Sequence, residues 1–86
     1  MIASIITVTT SPTLLVAETA NATRTIYFEP VGNDLHIGGS AVTTTTGLVT
    51  KKDVTTVMVL PPQNSLYAVT GTGTVTVRLM VPEGDF

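Results

Sequence analysis

The chain has no cysteine and no tryptophan, a single histidine, and only four Lys and Arg residues against six Asp and Glu. The missing cysteines exclude a disulfide framework and thiolate metal sites, and one histidine is too few for a His-based zinc set. With a net charge of −2 there is no cluster of Lys and Arg to displace counterions from nucleic acid. No apolar run approaches the roughly 18 residues of a membrane span. No Lys or Arg precedes Arg24, so the amino-terminal stretch lacks the basic region of a secretory signal. We therefore expect a soluble protein made in the cytoplasm, with no cofactor, no metal, and neither nucleic acid nor membrane as partner.

What fills the space is Thr and Val, β-branched residues that fit a pleated surface and lose rotamer freedom in a helix. The 86 residues form one domain spanning 1–86. A chain this short buries only about 60% of its unfolded surface. With disulfides and metals excluded, self-association is the remaining way to supplement so small a core.

Period-two alternation is the dominant pattern. Val75, Val77, Leu79 and Val81 share one face of a strand, and Thr74, Thr76, Arg78 and Met80 the other. In RTIYFE, Ile26 and Phe28 oppose Thr25 and Tyr27; Leu66, Ala68 and Thr70 oppose Ser65, Tyr67 and Val69. Val54 to Leu60 is apolar on both sides, which predicts a central strand, and two more runs lie at Ile2 to Thr10 and Thr13 to Glu18. Only Leu14 to Ala22 offers any case for helix, and it is assigned to strand and turn. Pro, Gly and Asn clusters punctuate the runs at short intervals. The fold class is all-β: a small antiparallel β-sandwich or barrel, jelly-roll-like or immunoglobulin-like, of about seven or eight short strands.

The stretch Asp34 to Leu48, DLHIGGSAVTTTTGL, is where chemistry would be sought. If Leu35 and Ile37 face the core, His36 faces outward, with Asp34 on the same side. That is a local pair without a nucleophile to serve. Gly38-Gly39-Ser40 has no following lysine and leads into a β-like segment, so it is a hairpin turn with positive φ and not a phosphate loop. Gly71-Thr72-Gly73 fails as a dinucleotide motif for the same reason. Thr43 to Thr46 reads as a threonine-rich β-edge or loop, and Lys51-Lys52-Asp53 as an exposed turn. The acids Glu18, Glu29, Asp34, Asp53, Glu83 and Asp85 form no close pair in sequence. No catalytic residue is assigned, and an enzyme is not expected. The aromatic Phe86, following Asp85, is a candidate anchor for a neighbouring subunit.

Taken in order, several segments resemble a family of small β-rich proteins encoded among tailed-phage structural genes. A Thr/Val-rich strand ends in Pro12 to Leu15, and an Arg-led strand runs from Arg24 to Phe28. The Ile-Gly-Gly-Ser step lies at Ile37 to Ser40, and closing strands surround Leu66 to Ala68 and Thr74 to Arg78. The likeness spans most of the chain on motifs of low specificity. It implies a non-enzymatic virion component on the outer capsid surface: a capsid decoration (cement) protein that binds the major capsid protein and stabilises the head. Such a protein would be a homo-oligomer, with a trimer favoured. The candidate contact residues are Ile2, Ile5, His36 and Phe86. The alternative is a receptor- or glycan-binding module of a head or tail fibre, for which only Tyr27, Tyr67, Phe28 or Phe86 could supply an aromatic platform.

Overall fold

The computed structural model describes residues 2–21 and 23–81, with the side chain of Ile2 outside that description. Ala22 and the Pro82 to Phe86 segment, and with it the anchor expected at Phe86, lie outside the described residues. Eight strands follow one another: β1 (Ile2–Val8), β2 (Thr13–Val16), β3 (Arg24–Val31), β4 (Leu35–Gly38), β5 (Leu48–Thr50), β6 (Thr56–Leu60), β7 (Leu66–Val69) and β8 (Val75–Val81). They form two four-stranded sheets, ordered β1-β8-β3-β6 and β2-β7-β4-β5, with every pairing antiparallel. This strand order is that of a jelly roll, which decides between the two sandwich topologies the sequence left open.

The alternation read in the sequence places the core. Ile26 and Phe28 of β3, Val75, Val77 and Leu79 of β8, and Val8 of β1 meet Leu35 and Ile37 of β4 and Leu66 and Ala68 of β7 between the sheets. Thr50 also faces inward, its Oγ1 donating to the Leu35 carbonyl at 3.2 Å, so the buried hydroxyl is satisfied. Pro30 sits inside β3, although β3 is an interior strand. It is tolerated because the β6 ladder ends at Phe28↔Thr56, and beyond that point the Pro30 carbonyl accepts the Asp53 N–H at 2.6 Å instead.

Two local expectations are corrected and a third is decided. β6 is an edge strand and not a central one; its Val57 and Val59 face outward and are exposed, while Met58 and Leu60 turn toward the core. Of the β-edge and the loop expected for the threonine run, the structure shows the loop: β5 begins only at Leu48, and Thr43 to Gly47 closes a turn on itself. The Thr43 hydroxyl accepts the N–H groups of Thr45 and Thr46, and the Gly47 N–H donates to the Thr43 carbonyl at 2.9 Å. Gly38 and Gly39 make the expected turn, with the Val42 N–H donating to the Gly39 carbonyl, but neither takes positive φ; Gly32 and Gly73 do.

Candidate interaction surface

The two outer faces of the sandwich differ. On the β2-β7-β4-β5 side the 39–47 segment folds back over its own sheet. Val42 is buried there, and its Cγ2 would lie 3.0 Å from a Cβ at Gly38 and 2.8 Å from one at Gly47. The same segment reaches Gly71, where a Cβ would meet Thr44 Cγ2 at 3.9 Å. His36 faces outward as expected, between Val69 and Val49 in register, but it is half-buried, and a Cβ at Gly47 would come 2.9 Å from its own Cβ. Its Nδ1 is buried with no hydrogen-bond partner among the described residues.

The anticipated Asp34–His36 pair does not form. Asp34 Oδ1 accepts the Lys52 N–H at 2.9 Å, and its other oxygen lies 3.6 Å from Lys51 Nζ. The Lys52 backbone hydrogen bond is the largest effect and, with smaller contributions from Lys51, holds this carboxyl below the ordinary carboxylate range against desolvation, which comes second and opposes it. Asp34 therefore fastens the β5–β6 turn to the start of β4. Among the described residues no group of three or more His, Asp or Glu side chains is placed to hold a metal ion.

Among the described residues the β1-β8-β3-β6 face carries no such cover. Its registers align Ala3 with Met80, Met80 with Tyr27, and Tyr27 with Val57, so one row of apolar side chains crosses all four strands. Ile5 and Val59 flank this row at 69% and 58% exposed, and Val57 is 55% exposed. The neighbouring row holds Arg78 with Ile5 on one side and Glu29 on the other. The Arg78–Glu29 pair is loose at 3.9 Å and solvent-exposed, worth about 0–1 kcal/mol at most. A shallow depression of about 460 Å³ opens here, lined among others by Ala3, Ile5, Tyr27, Glu29, Arg78 and Met80.

Of the contact residues expected from the sequence, Ile5 lies on this open face and His36 on the opposite one, so the two cannot serve a single flat interface. Ile2 lies on β1, beside Val81 of β8. Met80, Val57 and Val59 were not among those expected. Their one legible signal is apolar residues at positions that the alternation assigns to solvent, most plainly the two-sided apolar pattern of Val54 to Leu60. No family model, no curated protein and no solved structure matches the chain, and its functional reading therefore rests on its own residues.

Proposed function

We propose that the chain is a non-enzymatic structural protein, a capsid decoration protein that binds the major capsid protein on the outer surface of a tailed-phage head and stabilises the shell. The observation that carries the binding role is the apolar row Ala3–Met80–Tyr27–Val57, bordered by Ile5 and Val59 and uncovered among the described residues, on a sheet face whose counterpart is partly covered by its own chain. Of the nine large apolar side chains exposed among the described residues, Ile5, Tyr27, Val57, Val59 and Met80 lie together on this face, while Leu14, Leu48, Val49 and Val54 lie elsewhere; a contiguous cluster of this kind supports an interaction surface. A flat four-stranded face suits binding by area, with Tyr27 and Met80 as central anchors and the Arg78–Glu29 pair at the rim. The phage assignment comes from the resemblance set out above, with which the all-β jelly roll is compatible; a fold alone does not carry a function.

The test is co-sedimentation of the purified protein with expanded heads that lack decoration. Saturable binding that raises the melting temperature of the heads is expected, and Met80→Glu should abolish it while leaving the circular dichroism spectrum intact. Heads that pellet without the wild-type protein would overturn the proposal. A second reading, a glycan-binding fibre module, draws on one observation: Tyr27 is 39% exposed beside the depression and could stack on a sugar ring. A glycan array separates the two, since a decoration protein should leave it blank.

A further inference from the structure

The sandwich has four edge strands, β1 and β6 in one sheet and β2 and β5 in the other. An edge strand presents unpaired backbone N–H and C=O groups, and proteins that stay monomeric blunt such edges with short strands, bulges, proline or charge. Three of the four edges here are blunted. β2 has four residues, follows Pro12, and shifts register between Leu14 and Val16. β5 has three residues and runs directly into Lys51 and Lys52. β6 has five and ends at Pro61-Pro62.

β1 carries none of these devices. It is seven residues long, IASIITV, with no charge, no proline and no glycine, and it keeps one unbroken register with β8 from Ile2↔Val81 to Val8↔Val75. Among the described residues β8 is its only strand neighbour. Its exposed side chains offer nothing that repels a second uncharged strand.

We infer that β1 is a self-association edge: two copies of the chain pair β1 to β1, antiparallel about a two-fold axis through Ile5. The occupant is a second copy because the strand matches itself. Ile5 is the midpoint of Ile2–Val8, so a two-fold pairing there sets Ile5 opposite Ile5, Ala3 opposite Thr7 and Ser4 opposite Ile6, and aligns all seven residues without placing a charge across from anything. An aliphatic pair directly opposite on one face favours such pairing. Closure about a two-fold is isologous and ends at two subunits, which protects the edge from open-ended growth. The product is one eight-stranded sheet that presents the apolar rows of both copies on the same outer face. This gives the self-association expected from the sequence a definite surface, as a two-fold pair in place of the three-fold assembly that the resemblance implies. It stands or falls apart from capsid binding, because its test needs no heads.

The absence of cysteine makes the test direct. Ile5→Cys should form an intermolecular disulfide under mild oxidation, since residues directly opposite in an antiparallel pair hold their Cβ atoms about 4.5–5.5 Å apart. Leu48→Cys and Val59→Cys, similarly exposed but on blunted edges, should not. In sedimentation equilibrium the wild type should be a dimer. Ile5→Glu should weaken it at least about tenfold by placing like charges opposite each other, while remaining folded because position 5 faces Arg78 within the monomer. A wild-type monomer at the highest soluble concentration overturns the inference. So does an oligomer that Ile5→Glu leaves intact, or cross-linking at Leu48→Cys or Val59→Cys in preference to Ile5→Cys.

Discussion

Gly47 and Gly39 look alike in the sequence and are held for different reasons. A Cβ at Gly47 would sit 2.8 Å from Val42 Cγ2, 2.9 Å from His36 Cβ and 3.0 Å from the Thr43 carbonyl, whereas one at Gly39 would meet nothing within 4 Å. Gly47→Ala should therefore cost about 1–3 kcal/mol, the usual range for overpacking. For a domain of this size each kcal/mol lowers the melting temperature by about 4–8 °C. Gly39→Ala, with no positive φ to strain, should fall within about 0.5 kcal/mol of wild type in the same thermal scans. Turn chemistry was legible in these glycines. The return of Val42 onto the sheet was not, because it is a contact between residues whose spacing carries no periodic signature. Asp34 adds a pH dependence. Its folded-state carboxyl titrates below the ordinary range, so its contribution is present above the unfolded value and is lost as pH falls through the lowered folded value. Asp34→Asn should flatten the acid limb of a urea-stability profile as pH falls through and below the ordinary carboxylate range, and leave the slope near neutral pH unchanged.

Along a single strand, the two sides of the sandwich can be told apart by substitution. On β3, Phe28 is 1% exposed in the core and its neighbour Tyr27 faces out. Phe28→Ala should cost about 3–5 kcal/mol, a large share of the roughly 4–13 kcal/mol that holds a domain of this length. Tyr27→Ala should cost under about 1 kcal/mol and instead weaken binding to heads. Urea titrations of the two variants, set beside the pelleting assay, check both halves; equal stability losses would mean the faces are misassigned. The alternation in β3 and β8 was legible because one face is apolar and the other polar. In β6 it misled, since Val57 and Val59 are apolar yet exposed on the outer face, where the proposed function places its binding surface. A pattern that records burial cannot distinguish a core from a docking face. The same ambiguity hid the proposed interaction surface while exposing nearly all of the core.

At the scale of the whole molecule, the strand pairs are nested. β4 pairs β5, β3 pairs β6, β2 pairs β7 and β1 pairs β8, as though the chain were doubled back at the 39–47 segment and the resulting long hairpin rolled up. The tip of that hairpin is the Gly- and Thr-rich stretch whose residue types most resemble those of an active site; its task in the fold is reversal of the chain. Nesting has a kinetic consequence. Roughly ten residues separate Ile37 from Leu48, against more than sixty between Val8 and Val75. Closing the shorter loop first is favoured by about 1.7 kcal/mol of chain entropy, and each outer pair then closes across a gap already shortened by the inner one. Folding should proceed from the tip outward, on the millisecond-to-second scale of β-sandwiches. Core truncations should divide accordingly in stopped-flow chevrons. Ile37→Val, in β4, should mainly slow folding. Val77→Ala, in β8, should mainly speed unfolding, because its contacts form after the transition state. The opposite division would place the nucleus at the β1–β8 pair, and would require the two ends of the described chain to meet before its middle has formed.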